Sequence, residues 1–318
     1  MNPLRRTERI HIDGTNTGAF DRGDWSIAVT VAALWGSSFL WIAVALDSLT
    51  PDVVAFGRVA FGATALWMLP AARRPIPRAM WPTVVVVAVA GNAAPALLFA
   101  VAQRSVDSSI AAMINSATPI AVLAVGVVLT HRLPDRRQAT GIGVGLVGVV
   151  SIAAPSLAGN DAAPSGVALL ALAVLGYGIA NNVVVEPQQH VGAVPIIARA
   201  LTISSLLLAP LAATGADDST FTTGSVAAVI VLGVGGTGIA RALNATLAGR
   251  TGAARGSITT YLVPVVAIVL GTTLRDEQIE PLQLAGAAVV LVGAWLSTRP
   301  TLEPKPSTPP CGSTETRP

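Results

Sequence analysis

Ten apolar segments follow one another through this chain, separated by short polar breaks. They are Ser26–Leu46, Val53–Leu69, Trp81–Ala102, Ser108–Leu129, Ala139–Ala154, Gly166–Val185, Val194–Thr214, Ser225–Thr246, Ala254–Leu274 and Leu282–Ser297. Most lie near the roughly 20 residues that a helix needs to cross a hydrocarbon core about 30 Å thick. The fifth and tenth are short enough to be re-entrant on length alone, but their matching place in the two halves of the chain argues for thin spanning helices. Such a pattern leaves little choice of solvent. Only 12% of the 318 residues are charged, against about 25% in soluble domains, so a globular surface could not be covered with polar groups. The expected fold class is an all-α polytopic membrane protein with ten transmembrane helices.

The charges that remain set the direction of threading, because Lys and Arg gather in cytoplasmic loops. With the N-terminus inside, the cytoplasmic segments hold Arg5, Arg6, Arg9 and Arg22; Arg73, Arg74 and Arg78; Arg132, Arg136 and Arg137; Arg250 and Arg255; Arg299, Lys305 and Arg317. The external loops hold only Arg104 and Arg275. Both termini are therefore expected in the cytoplasm. Net charge is +3, and the basic residues sit singly or in threes between apolar runs. Nucleic-acid binding would instead need them clustered on one face with aromatics between. The single cysteine, Cys311, excludes a disulfide framework or a Cys-based metal site within one chain. The first apolar segment has full spanning length and no small-residue cleavage site after it, so no signal peptide is expected.

The chain also repeats itself. An offset of 145 sets Pro119 on Pro264, Gly126 on Gly271, Gln138 on Gln283, Gly141 on Gly286 and Gly148 on Gly293. The repeating unit is half a protein rather than a short solenoid period. Five spans per half is an odd number, so the second half must enter the membrane upside down. The break after Leu129 is basic, with His131, Arg132, Arg136 and Arg137; its mate after Leu274 is acidic, with Asp276, Glu277 and Glu280. Opposite chemistry is what opposite membrane faces would select. Inverted repeats are the layout of many secondary transporters, with the substrate site near the midplane between the halves. The expected division is a cytoplasmic tail 1–25, a five-helix repeat 26–154, an external linker 155–165, a second repeat 166–297, and a Pro, Thr and Ser-rich tail 298–318.

Several short motifs carry a resemblance. A-L-W-G-S-S-F at 33–39, T-P with Arg58 at 50–58, and N-S-A-T-P-I at 115–120 are echoed by L-G-Y-G-I-A-N-N at 175–182, Arg199 and the stretch 256–293. In order and spacing the chain resembles the EamA-type members of the drug/metabolite transporter superfamily over about 26–297. That family places an acid just after each charged break begins; Glu277 keeps it, while Arg132 stands at the first-half position. The resemblance implies a ten-helix inner-membrane carrier of small metabolites, often amino acids, often in the export direction.

Apart from Arg255 at the very start of the ninth, three arginines lie within the apolar segments, Arg58, Arg199 and Arg241. A central Arg costs about 2.5–3.5 kcal/mol on insertion scales, which makes each a functional candidate. Arg58 and Arg199, repeat mates at an offset of 141, lie nearer helix ends and read as structural or gating staples. Glu277 and the mid-helix prolines Pro119 and Pro264 join them in that class. Arg241 is the deepest and reads as the partner of a substrate carboxylate or of a helix C-terminus. The amides Asn92, Asn115, Asn181 and Asn244, with Asn182, are either helix–helix glue or the lining of a polar cavity. Trp35 and Tyr177 are near-equivalent at an offset of 142 and sit at mid-depth, as does Tyr261 beside Pro264. The candidate substrate-binding set is thus Trp35, Asn92, Asn115, Tyr177, Asn181, Arg241, Asn244 and Tyr261.

No Asp or Glu lies inside a span, and His11, His131 and His190 fall outside them. A proton relay normally needs an intramembrane carboxylate or His, so only Glu186, at a span end, is a marginal candidate. Gly233, Gly235 and Gly238 fit G-x-G-x-x-G, as do Gly143, Gly145 and Gly148, but dinucleotide binding needs a strand-turn-helix setting and an acid about 20 residues on, and after Gly238 the next acid is Asp276, much too far. Small residues that let helices approach closely explain both runs. The only lysine is in the tail and no Walker motif exists, so no ATPase is expected. The leading function is a secondary transporter working by alternating access in the cytoplasmic membrane, with a small molecule and the bilayer as partners and no cofactor or metal. The rivals are a membrane-embedded enzyme, which would need a titratable cluster or a nucleophile with its base, and a non-transporting subunit. Monomer and homodimer both stay open.

Overall fold

The computed structural model describes residues 14–15, 20–131, 136–158, 164–256, 259–260 and 262–298. Among the described residues there are helices and no strands. The main helices are α1 (Arg22–Leu46), α2 (Pro51–Trp67), α3 (Arg78–Ala102), α4 (Ser108–Thr130), α5 (Arg136–Ala158), α6 (Pro164–Val183), α7 (Ala193–Gly215), α8 (Thr223–Thr251), α9 (Val263–Leu274) and α10 (Pro281–Thr298). Six of them, α1, α3, α4, α6, α7 and α8, are long and apolar enough to cross a membrane by length and composition; α9 and stretches of α5 and α10 are shorter apolar helices. Apolar side chains cover the outside: Met68, Leu206, Val128 and Val150 are well exposed, while Asn92, Asn115, Asn182 and Asn244 are buried. That distribution suits a polytopic membrane protein.

Several helix limits differ from the sequence expectation for local reasons. Helix α1 starts at Arg22, before the apolar run. There the Asp21 carboxylate accepts from Asp24 N at 2.7 Å and the Asp24 carboxylate accepts from Asp21 N at 3.2 Å, a reciprocal cap that starts the helix in polar sequence. Helix α5 has 23 residues, more than the apolar count alone suggested, because its first turn uses the polar residues from Arg136. The ninth apolar segment is not one helix: a turn at Ala253–Gly256 is followed by α9, which begins only at Val263. Helix α4 is likewise two pieces, Ser108–Asn115 and Thr118–Thr130. Pro119 and Pro264 each sit in the first turn of the second piece, where a missing N–H costs no helical hydrogen bond. The two breaks are repeat mates.

The loops collect at two ends of the bundle. At one end Arg275 forks onto Asp47 at 2.7 and 2.9 Å. There Thr50 N donates to Ser219 Oγ at 3.0 Å, and the Glu277 carboxylate bonds Ser108 and Ser109. At the other end Arg250 pairs with Asp24 at 2.7 Å and Asp21 at 2.8 Å, and Gln189 Nε2 donates to Gly249 O at 3.0 Å. The segments expected outside thus bond to one another, as do those expected inside. His131 and Asp276, mates at the offset of 145, both take a left-handed backbone with φ 53°, a conformation in which His and Asp are enriched among non-glycine residues.

Helices α5 and α10 meet through glycine. A Cβ on Gly148 would lie 2.6 Å from Val290 N and 2.7 Å from Gly286 O; one on Gly293 would lie 2.6 Å from Gly145 Cα and 2.7 Å from Gly141 O. The offset of 145 turns the first set of neighbours into the second. Contacts exchanged in this way imply a local two-fold relation, and these antiparallel helices place its axis across their length. The G-x-G-x-x-G run of α8 has the same use: Gly238 is set against the backbone of Gly62, and Gly236 against Ser38.

Candidate functional site

The third helix of each half carries a π-helical segment, Val89–Ala93 in α3 and Leu232–Ile239 in α8. Such i→i+5 turns recur at functional sites because they displace carbonyls from the regular ladder. Asn92 Nδ2 donates to Val87 O at 2.8 Å, and its repeat mate Thr237 Oγ1 donates to Leu232 O at 3.1 Å, each five residues back. In α8 the displaced Gly236 carbonyl accepts from Trp35 Nε1 at 3.0 Å, and Thr237 Oγ1 accepts from Arg58 Nε at 3.1 Å. The two bulges thus orient an amide, an indole and a guanidinium toward the middle of the bundle.

The bundle holds a cavity of about 530 Å³, including the part that opens to solvent, walled by Trp35, Phe39, Arg58, Phe99, Asn115, Thr118, Tyr177, Asn181, Arg241, Asn244 and Thr260 among others. A second space of about 280 Å³ shares Asn181, Arg241 and Asn244 with the first and adds Asn92. Both helix breaks open onto the main cavity, through Asn115 and Thr118 in α4 and through Thr260 before α9. Helix ends inside a bundle leave backbone groups unpaired by the helix itself, and only a water-lined or protein-lined space tolerates that.

Arg241 sits between aromatic rings, its guanidinium carbon 4.4 Å from the Tyr177 centroid and 5.5 Å from that of Trp35. Tyr177 in turn stacks on Phe99 at 5.9 Å. A cation over an aromatic face gains about 0.5–2 kcal/mol. This holds the side chain without using its N–H donors, which have no hydrogen-bonded or ionic partner among the described residues. Asn244 Nδ2 donates to Asn181 Oδ1 at 2.9 Å, and Asn181 Nδ2 donates to Tyr177 O at 2.8 Å. The amides are therefore interhelical glue between α6 and α8 and cavity wall at once. Asn244 Oδ1 and Asn92 Oδ1 are buried acceptors without a partner among the described residues, a condition that costs about 1–3 kcal/mol unless something donates to them.

Trp35, Asn115, Tyr177, Asn181, Arg241 and Asn244 thus come together at the main cavity, Asn92 lines only the smaller one, and Tyr261 lies outside the described residues. Arg58 lines the main cavity too, 6% exposed, rather than sitting at a helix end. Its mate Arg199 is a staple, donating to Ala72 O at 2.8 Å, Pro195 O at 3.0 Å and Arg74 O at 3.0 Å, over the Trp67 ring. Glu277 is remote from the cavity: its carboxylate accepts from the backbone N of Ser108 at 3.1 Å and of Ser109 at 3.0 Å, and from both hydroxyls. An anion is stabilised at that helix N-terminus. Nearby Asp107 has its pKa raised, first by burial and then by the charge of Glu277. Glu186 is exposed on the short helix Val185–Val191, away from both spaces. Phe39, Phe99, Thr118 and Thr260 also line the main cavity, and Thr237 holds Arg58; Phe39 and Thr118 lie in the motifs at 33–39 and 115–120, and Thr237 is the mate of Asn92 at the offset of 145.

The profile of the EamA-like transporter family matches residues 25–154 and again 164–299. A Salmonella typhimurium protein named "Probable amino-acid metabolite efflux pump" is 25% identical over 289 residues, covering 87% of this chain and 95% of its own. A Streptantibioticus cattleyicolor protein named "Probable terminal-alkyne amino-acid exporter" is 26% identical, covering 87% and 94%. A solved crystal structure superposes with a TM-score of 0.66 at 17% identity, over 88% of this chain and 97% of the other; that likeness concerns the fold alone.

Proposed function

The chain belongs to the EamA-like transporter family, and from that premise we propose that it exports a small carboxylate-bearing metabolite, an amino acid or related compound, across the cytoplasmic membrane by alternating access. The observation that carries this reading is the cavity at the junction of the halves, lined by an Arg241 whose position is set by Trp35 and Tyr177 and whose donors have no hydrogen-bond partner among the described residues. A guanidinium so placed offers a carboxylate the bidentate geometry it prefers. Asn115, Asn181 and Asn244 supply polar contacts, and Phe39, Phe99 and Tyr177 an apolar wall. The efflux and exporter names of the relatives support the direction.

Ten spans with both termini cytoplasmic, the second five inverted, is the topology we infer. The arginine distribution and the alternate gathering of loops at the two ends support it. Alternating access would loosen the ties between halves at one end while those at the other hold. The candidates are Glu277 on Ser108 and Ser109 with Arg275 on Asp47 at the external end, and Arg250 on Asp21 and Asp24 at the cytoplasmic end. Among the described residues no carboxylate lines either space, so transport is taken to be passive, exchange-type or coupled through the substrate's own protonation. Purified protein in liposomes loaded with pooled metabolites is the test. Counterflow of at least one carboxylate compound is expected; an inert protein that still folds and inserts would contradict the proposal.

A further inference from the structure

The two arginines of the cavity impose a charge requirement. Arg58 is 6% exposed and gives only its Nε to a neutral hydroxyl, that of Thr237; its terminal nitrogens make no hydrogen bond among the described residues. Among the described residues Arg241 is held by ring faces alone. Guanidinium groups keep their proton in proteins, and among the described residues no Asp or Glu lines the cavity or the smaller space beside it. The empty wall therefore carries two positive charges in a medium where an uncompensated charge is expensive. A zwitterion leaves that sum at +2, a monoanion lowers it to +1, and a dianion cancels it. The free oxygens of Asn244 and Asn92 accept an N–H or O–H but contribute no charge.

We propose that the substrate carries net negative charge: a carboxylate whose amine is absent or acylated, or a compound with a second acid group, rather than a neutral zwitterion. This rests on the transporter reading and narrows its substrate class. It also supplies a driving force that needs no coupling ion. An inside-negative membrane potential pushes an anion outward, toward a tenfold gradient for each roughly 59 mV per charge, so export proceeds without an intramembrane carboxylate.

The test uses the whole chain in liposomes and two pairs of compounds that differ in charge, the isosteric glutamate and glutamine and, with an added acetyl group, N-acetylphenylalanine against phenylalanine, beside a metabolite pool. The expected result is a counterflow rate at least tenfold higher for the anionic member of each pair. Its efflux should accelerate under an inside-negative potassium diffusion potential, and the glutamate preference should shrink in Arg58→Gln. Equal or faster movement of the zwitterions overturns the charge requirement and leaves the transporter intact. Movement of the pool but of neither anion does the same. If nothing moves, pool included, the transporter reading itself falls and the inference with it.

Discussion

Three glycines of α5 and α10 allow the packing of the bundle to be tested by sign as well as size. Replacing Gly148 with Ala puts a methyl 2.6 Å from Val290 N and 2.7 Å from Gly286 O; Gly293→Ala puts one 2.6 Å from Gly145 Cα and 2.7 Å from Gly141 O. These neighbours are backbone and cannot swing aside, so the helices must separate. Overpacking of this kind costs about 1–3 kcal/mol. Gly143, five residues from Gly148 on the same helix, has nothing within 4 Å of its added methyl. There alanine only gains helix propensity, up to about 1 kcal/mol. Melting of the purified variants in one detergent should therefore rank Gly143→Ala above the parent, and the parent above both Gly148→Ala and Gly293→Ala. The two losses should be similar, because the repeat exchanges the contacts. Equal melting of Gly148→Ala and Gly143→Ala would refute the packing, and with it the pairing of repeat mates across α5 and α10.

Other outcomes follow from single contacts. Arg199→Gln removes donors to Ala72, Pro195 and Arg74 and should lower stability by about 1.5–3 kcal/mol with unchanged substrate affinity, read by melting and counterflow on one preparation. Asp107 has a raised folded-state pKa from burial and the charge of Glu277, so the folded state holds its proton more tightly than the unfolded chain. Stability should therefore fall as pH rises from about 4 through the raised pKa, and Asp107→Asn should flatten that slope in a melting series against pH. In a Cys311→Ser background, a cysteine at Asp218 should react with an impermeant thiol reagent on intact cells while one at Arg136 should not; labelling at Arg136 would reverse the inferred topology.

Much of the fold was legible because hydrocarbon solvent imposes length and apolarity, which a linear sequence displays directly. The repeat offset located Pro119 against Pro264, and both prove to start the second piece of a broken helix. Position along each helix was readable as well, which is how Arg241, Trp35 and Tyr177 entered one set. The direction a residue faces around its helix was not. A helix with lipid on one side and apolar packing on the other has no polar stripe to orient it, so Arg58 looked like a helix-end staple although it faces the cavity. The π-helical turns were hidden because an i→i+5 ladder leaves no mark in hydrophobic periodicity, and they decide where Asn92, Thr237 and Trp35 point. The aromatic seat of Arg241 depends on two helices from different halves, α1 and α6, converging on a third, α8.

The most direct measurement is the half-maximal concentration for counterflow of Arg241→Gln, taken beside its melting temperature. If the guanidinium between Trp35 and Tyr177 is the carboxylate site, loss of a charge-assisted hydrogen bond of about 1.5–3 kcal/mol weakens affinity roughly ten- to a hundredfold. Melting should change little, because removing an unpaired charge from the membrane interior offsets the lost ring contacts. Arg241→Lys should recover only part of the affinity, since an ammonium cannot make the two-pronged contact. Unchanged affinity in a protein that melts well below the parent would mean that Arg241 holds helices together rather than substrate.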